Sequence, residues 1–258
     1  MTKPNHHPLH DTEESPPPRY LGEAVKPPSG ESYDWHSHHF GQLISAASGS
    51  MYVGTPGHVL LLSAAMVIWI PPGVQHWMRY GSNNEMRYVD VRHDEAEKIG
   101  SVCRVMAMTP LLGALMAETI PKNPKRRAND HDSSLHDLLR HELLAATDVP
   151  LSIIMPRDRR IRRIAQAALD DPGTIGSVEG WLADAPASRK TIERLFAAET
   201  GMPPLRWLRH ARVLHAISRL AAGEKVSSVA FDMGYASSSA FSYMFRQTLG
   251  RSPSDFCA

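Results

Sequence analysis

The chain has 258 residues, a formal net charge of +1, 42% hydrophobic and 21% charged residues, and two cysteines. That length suits two domains, and the composition is that of ordinary globular protein, not of a disordered, collagenous or disulfide-stapled chain. Cys103 and Cys257 form no C-x-x-C pair, the first 20 residues lack an apolar signal core, and the longest apolar run, 59–70, is broken by Ser63 and too short to cross a bilayer. A cytoplasmic protein with no membrane partner is expected.

Residues 1–30 hold seven of the 20 prolines, scattered charges and His6, His7 and His10. Such a stretch buries too little apolar surface to repay ordering, and a disordered tail is expected. From 31 to about 100 the pattern changes to short runs rich in β-branched and aromatic residues, QLISAASGSMYVG, HVLLL, AMVIWI, HWMRYG and MRYVDV, each bounded by turn residues. A small β-barrel follows from them. Its polar candidates are His36, His38 and Gln42 in WHSHHFGQL, with Pro71, Gly73 and His76 in IPPGVQH. Side chains two apart point to the same side of a strand, so His36 and His38 are expected to face the interior together.

Over 101–148 the spacing predicts two helices. Val102–Ile120 is apolar along most of its length, with a new segment starting at Pro110. A charged loop follows at 122–130, and Ser133–Ala146 then carries Leu135, Leu138, Leu139 and Leu143 on one face, with His136, Arg140 and Glu142 outward. Residues 149–156, with two prolines, read as a link. The remainder, 157–258, opens with an arginine cluster, and Ile161, Ile164, Ala165 and Ala168 face inward from a helix closed by Gly173. From Arg157 onward there are 15 Lys and Arg against 10 Asp and Glu, net +5, whereas the preceding part has 13 against 17, net −4. This asymmetry fits a nucleic-acid-binding half joined to a half that binds something else.

Within that basic half, VSSVAFDMGYASSSAFSYMFRQTLGRSPSDF reads as a helix, a turn at Gly234 and a second helix capped by Ser237, with Phe241, Met244, Phe245 and Leu249 inward. The same grammar occurs once before. An offset of 49 (237 minus 188) pairs Ser188 with Ser237, Ile192 with Phe241, Phe196 with Phe245 and Gly201 with Gly250; upstream the offset is 48 (226 minus 178), which predicts a first turn one residue shorter. A connecting helix over 204–222, burying Leu205, Leu208, Val213, Ala216, Ile217 and Leu220, sets the distance between the copies.

The run from Trp181 to Phe256, with SRKTIERLFAAETGMPP and its Gly-x-x-Pro ending, resembles the DNA-binding domain of AraC/XylS-type transcription regulators. The resemblance implies two recognition helices entering successive major-groove segments of double-stranded DNA about 34 Å apart. It places Arg189, Lys190, Glu193 and Arg194 in the first reader and Ser238, Ser239, Ser242, Tyr243 and Arg246 in the second. Ser238 and Tyr243 stand where many relatives carry Gln and Arg. WHSHHFGQL and IPPGVQH likewise resemble the two cupin motifs, with Gln42 where cupin enzymes usually carry Glu. Three histidines converging in a barrel can hold a divalent first-row metal, with Gln42 as a weak oxygen ligand; the alternatives are a polar pocket for a small-molecule effector without metal, and structural histidines satisfied by neighbouring groups.

The reading is an α+β multidomain protein: a cupin-like sensor barrel, a helical dimerisation element and an all-α DNA-binding domain with two helix-turn-helix motifs. The expected function is effector-responsive transcription regulation, without catalysis, of neighbouring genes, transporter genes among them by analogy. The expected partners are DNA, an effector, a second copy of the chain and, for an activator, RNA polymerase. A metal-dependent cupin enzyme with an accessory DNA-binding domain is the alternative.

Overall fold

The structure is a computed structural model and describes residues 19–63, 66–81, 84–120, 130–149, 152–170, 175, 178–221 and 223–257. His6, His7 and His10, most of the charged loop and Gly173 lie outside the described residues. By contact density the chain divides into two units, 1–55 with 62–150 and 56–61 with 151–258.

The first half is built of antiparallel strands: β1 (Tyr20–Val25), β2 (Ser32–His36), β3 (Gly41–Ser48), β4 (Ser50–Thr55), β5 (His58–Ser63), β6 (Met66–Ile70), β7 (His76–Tyr80) and β8 (Glu85–Val91). A helix, α1 (His93–Ile99), precedes β9 (Arg104–Ala107), and α2 (Pro110–Glu118) and α3 (Asp130–Ala145) follow, before β10 (Ser152–Ile154). Two five-stranded sheets result, in the orders β1-β8-β3-β6-β9 and β10-β5-β4-β7-β2. This is the expected cupin-like arrangement.

The alternation of side chains across each strand decides which residues form the core. Leu43, Val67, Trp69, Val89 and Val91 project from the first sheet and pack with Ala96, Ile99, Leu112, Met116, Leu139 and Leu143 of α1, α2 and α3. The Trp69 Nε1–H is satisfied by the Gly100 carbonyl at 2.9 Å, so the ring is buried without an orphaned donor. Gln42, Ile44, Tyr88 and Asp90, one residue out of phase, occupy the opposite, inner face.

Several expectations are corrected. Residues 20–25, inside the predicted disordered tail, form β1, paired with β8 from Tyr20 opposite Val91 to Val25 opposite Met86. Tyr20 is almost wholly buried, so a six-residue strand between proline clusters gains enough apolar burial to be ordered. Val102–Ile120 is not one helical stretch: its beginning is β9, edge partner of β6, and the helix starts where Pro110 was expected to start it, with Thr109 accepting from the Leu112 amide at 3.0 Å. Part of the predicted link is β10, which pairs with β5. His136, predicted outward on α3, is buried beside Tyr20, their ring centroids 5.1 Å apart.

The second half is helical: α4 (Arg159–Asp170), α5 (Val178–Ala183), α6 (Arg189–Thr200), α7 (Pro204–Ala221), α8 (Val226–Asp232), α9 (Ser238–Leu249) and a 3₁₀ turn at Pro253–Phe256. Ile161, Ile164, Ala165 and Ala168 of α4 are buried as expected. On α7 the core residues Leu208, Val213, Ala216, Ile217 and Leu220 are joined by Trp207 and Leu214, while Leu205, expected inside, is exposed because it sits in the first turn ahead of the buried face. Trp207 stacks on Trp181, packs edge-on against Phe196 and donates its Nε1–H to the Ile154 carbonyl at 2.7 Å.

Candidate nucleic-acid interface and barrel site

Helices α6 and α9 are built by the same local rules. Ser188 precedes α6 and accepts from the Thr191 amide at 3.3 Å; Ser237 precedes α9 and accepts from the Ala240 amide at 3.1 Å. Both helices end on a left-handed glycine, Gly201 at φ 68° and Gly250 at φ 71°, a conformation that L side chains adopt only with strain. The turns that precede them are equal, four residues each at 184–187 and 233–236, so the one-residue difference between the copies falls in the first helix and not, as expected, in the turn.

Ile192, Leu195 and Phe196 anchor α6 inward, and Phe241, Met244 and Phe245 anchor α9. The geometry therefore turns the sequence-selected polar residues outward. Arg189, Lys190, Glu193 and Arg194 are all exposed on α6, where Arg189 Nε lies 2.9 Å from Glu193 Oε1. Both partners are exposed, so this pair is weak. On α9, Ser238, Ser239, Ser242, Tyr243 and Arg246 line one open surface pocket of about 360 Å³. Short hydroxyls, a phenol and a guanidinium in one row supply donors and acceptors suited to base edges and phosphates. Beyond them, Arg157, Arg159, Arg162 and Arg163 are exposed at the start of the unit, and Arg160 is exposed but bonded to Asp158.

Arg212 on α7, a residue the sequence did not single out, touches both copies. Its Nη2 donates to the Ile175 carbonyl ahead of α5 at 3.0 Å, and its guanidinium lies 6.0 Å from the centre of the Tyr235 ring in the second turn. Replacing it with Met keeps the stem and removes both ties, a loss of about 1 kcal/mol. Arg212→Met is expected to weaken binding to a two-half DNA site several-fold and to flatten the dependence on the spacing between halves. Fluorescence anisotropy on duplexes of altered spacing would measure this; an unchanged spacing profile would remove Arg212 from the role.

In the barrel, the histidines meet by a different route from the one expected. His36 closes β2 and stands in register opposite His76, which opens β7; His38 lies beyond the end of β2 and Gln42 on the next strand, β3. The single strand expected for His36, His38 and Gln42 is thus broken by the turn at 37–40, where the His38 carbonyl accepts from the Gly73 amide at 2.8 Å. Ring centroids are nevertheless close: 4.2 Å for His36 and His76, 5.1 Å for His38 and His76, 6.4 Å for His36 and His38. Each ring turns Nδ1 to a main-chain carbonyl: His36 to Asp34 at 2.7 Å, His38 to Phe40 at 2.6 Å and His76 to Val74 at 2.9 Å. Carbonyls only accept, so the proton sits on Nδ1 and Nε2 carries the lone pair. Burial pushes His76 down to about 4, and the Val74 contact offsets this only in part.

That tautomer is the one metal-binding histidines use. Even so, among the described residues no group of three His, Cys, Asp or Glu side chains is placed to hold a metal ion. Gln42 brings no charge, and its Nε2 donates to Asp90 Oδ1 at 3.0 Å. Among the described residues, the barrel histidines and Gln42 do not make up a metal-binding set.

Residues 26–146 match the AraC-like ligand binding domain family, and residues 181–258 match a helix-turn-helix domain family. The chain is 26% identical over 223 residues to the HTH-type transcriptional regulator NimR of Escherichia coli, covering 86% of this chain and 81% of that protein. It is 32% identical over 102 residues to the HTH-type transcriptional regulator RipA of Corynebacterium glutamicum, covering 40% of this chain and 31% of that one. Among solved structures it is similar to ToxT from Vibrio cholerae at 13% identity and a TM-score of 0.37, covering 92% and 97% of the two chains. Among the described residues no helix is long and apolar enough to cross a membrane. With a ligand-binding family and a helix-turn-helix family matched in that order along one chain, and a helix capped in the same way built twice in its second half, the protein belongs to the AraC/XylS-type DNA-binding transcription regulators.

Proposed function

We propose that this regulator reads double-stranded DNA with α6 and α9 and answers to a small-molecule effector held between the inner faces of its barrel. The carrying observation is the repeated, identically capped helix whose outward row is polar in both copies. Arg189, Lys190, Glu193 and Arg194 read the first half of the site; Ser238, Ser239, Ser242, Tyr243 and Arg246 read the second. The pocket residues are His36, His38, Gln42 and His76.

The protein acts in the cytoplasm, catalyses no reaction and controls neighbouring genes, transporter genes among them; as an activator it would also meet RNA polymerase. Leu111 of α2 and Leu138 and Leu144 of α3 are exposed, which supports pairing with a second copy through these helices. The alternative of a metal-dependent barrel enzyme has no suitable donor set among the described residues. Effector binding would bias how the readers reach paired sites, and DNA occupancy must then change effector affinity by the same factor. Equal effector affinity for free and DNA-bound protein would end that mechanism.

Arg194 separates reading from charge. Arg194→Ala is expected to cost about 1–3 kcal/mol on the preferred DNA site and much less on unrelated DNA if the guanidinium holds a base edge. Titration of both duplexes at one salt concentration would measure it, and equal losses on the two would make Arg194 a phosphate contact.

A further inference from the structure

The inner faces of the two sheets meet at the Tyr88 hydroxyl of β8, which lies 2.5 Å from the Tyr80 hydroxyl of β7 and 3.8 Å from Met51 Sδ of β4. His76 shares the inward face of β7 with Met78 and Tyr80, while Gln42 shares that of β3 and β8 with Tyr88 and Asp90. Two buried acceptors therefore look into one interior. His76 is fully buried, and its Nε2, the lone-pair nitrogen, has no hydrogen-bond partner among the described residues. Gln42 is 1% exposed; its amide NH₂ is committed to Asp90, and its Oε1 is likewise buried without a partner among the described residues. An acceptor left in that state costs on the order of 1–3 kcal/mol, which a donor brought by a ligand recovers. His36 and His38 hold the same Nδ1–H tautomer and so present the same kind of nitrogen.

We propose that the effector binds His76 Nε2 and Gln42 Oε1 through an N–H or O–H donor on a neutral or cationic group, and that the site rejects carboxylates and phosphates. The proposal rests on the barrel being the effector site. An anion would face acceptors on both sides, whereas a divalent ion finds no ligand set among the described residues. The aromatic wall of Tyr33, Tyr80 and Tyr88 favours a planar carrier for the donor.

Long-range proton–nitrogen NMR of the full chain at neutral pH tests the tautomer: His76 should carry its proton on Nδ1, and a proton on Nε2 overturns the proposal. The same spectrum then follows titration with phenol, aniline, anisole and benzoate. Phenol and aniline should shift His76 Nε2 and bind at least about tenfold more tightly than anisole, with benzoate inert; tenfold corresponds to about 1.4 kcal/mol. Gln42→Leu and, separately, His76→Leu should each narrow the phenol-to-anisole ratio, and either variant suffices if the other does not fold. Preference for benzoate, no response to phenol or aniline at millimolar concentration, or an EDTA-reversible shift of all three Nε2 signals by zinc would overturn the proposal. DNA affinity separates the two readings. Donor-selective binding that leaves it unchanged removes the effector role and keeps the donor site, whereas a benzoate-driven change keeps the effector role and removes the donor site.

Discussion

Trp207→Ala is expected to lower the stability of the second unit by about 3–5 kcal/mol and to abolish specific DNA binding at physiological temperature. Trp207 is fully buried on α7, the helix between the two helix-turn-helix copies, against Trp181 and Phe196 of the first. Truncation to Ala opens a cavity of nearly a whole indole, and the packing around α6 cannot close it without moving that helix. The Ile154 carbonyl also loses its donor at 2.7 Å. Trp207→Phe separates these effects in large part, because it retains most of the ring packing and removes the hydrogen bond, worth about 1 kcal/mol. Chemical denaturation followed by tryptophan fluorescence, with DNA titration of each variant, would measure both. A Trp207→Ala protein of unchanged stability would contradict the packing described for α7.

Glu95→Gln is expected to destabilise the first unit by about 3 kcal/mol at neutral pH and to remove much of its sensitivity to acid. Glu95 is a nearly buried carboxylate on α1 that meets Arg19 Nε at 2.9 Å, Lys98 Nζ at 2.7 Å and Arg140 Nη1 at 3.1 Å. It thereby joins the segment before β1, α1 and α3. Burial is the largest single influence on its acidity and would push it up; the Arg19 and Lys98 hydrogen bonds overcome that and hold it at about 2. The folded state thus binds its proton less readily than the unfolded state, whose carboxyl titrates near 4.3. The stabilisation is fully present above that value and is lost as pH falls through the window toward about 2. Each unit of separation is worth about 1.4 kcal/mol, and breaking a buried ionic cluster from one side costs about 3–5 kcal/mol, so the two routes agree in scale. Thermal unfolding of the wild type and Glu95→Gln between neutral pH and pH 3 should give converging curves; parallel curves would show that Glu95 contributes nothing through its charge.

Helices α6 and α9 were legible because their signals are local. Ser188 and Ser237 cap, Gly201 and Gly250 stop, and the apolar residues between them recur every three or four positions, so neither helix needed a distant partner to be found. What escaped depended on distant partners. Averaged with its flanking prolines, YLGEAV looks like a tail; only β8 makes it a strand, and only Tyr20 on that strand makes His136 a buried residue. The run from Val102 is continuously apolar, and such runs do not distinguish a strand from a helix by periodicity; the Thr109–Pro110 cap was the usable boundary within it. In the barrel, two-residue spacing placed His36 and His38 on one strand. The chain instead turns after His36, and the imidazoles are brought together by pairing with β7. Arg212 and Trp207 lie on a helix whose outline was evident, but their partners Ile175, Tyr235 and Ile154 are 37, 23 and 53 residues away, a separation at which no local pattern reaches.

In the proposed function two helices of one chain read one DNA site together. Footprinting the full-length protein on the DNA beside its own gene, at low and high salt, tests it most directly. Two protected major-groove patches are expected on one face of the duplex, about one helical turn apart, weakening steeply as salt rises. Arg194→Ala is also expected to thin one patch and Arg246→Ala the other. A single protected patch, or protection spread evenly along any duplex and blind to which of these residues is missing, would contradict the proposed function.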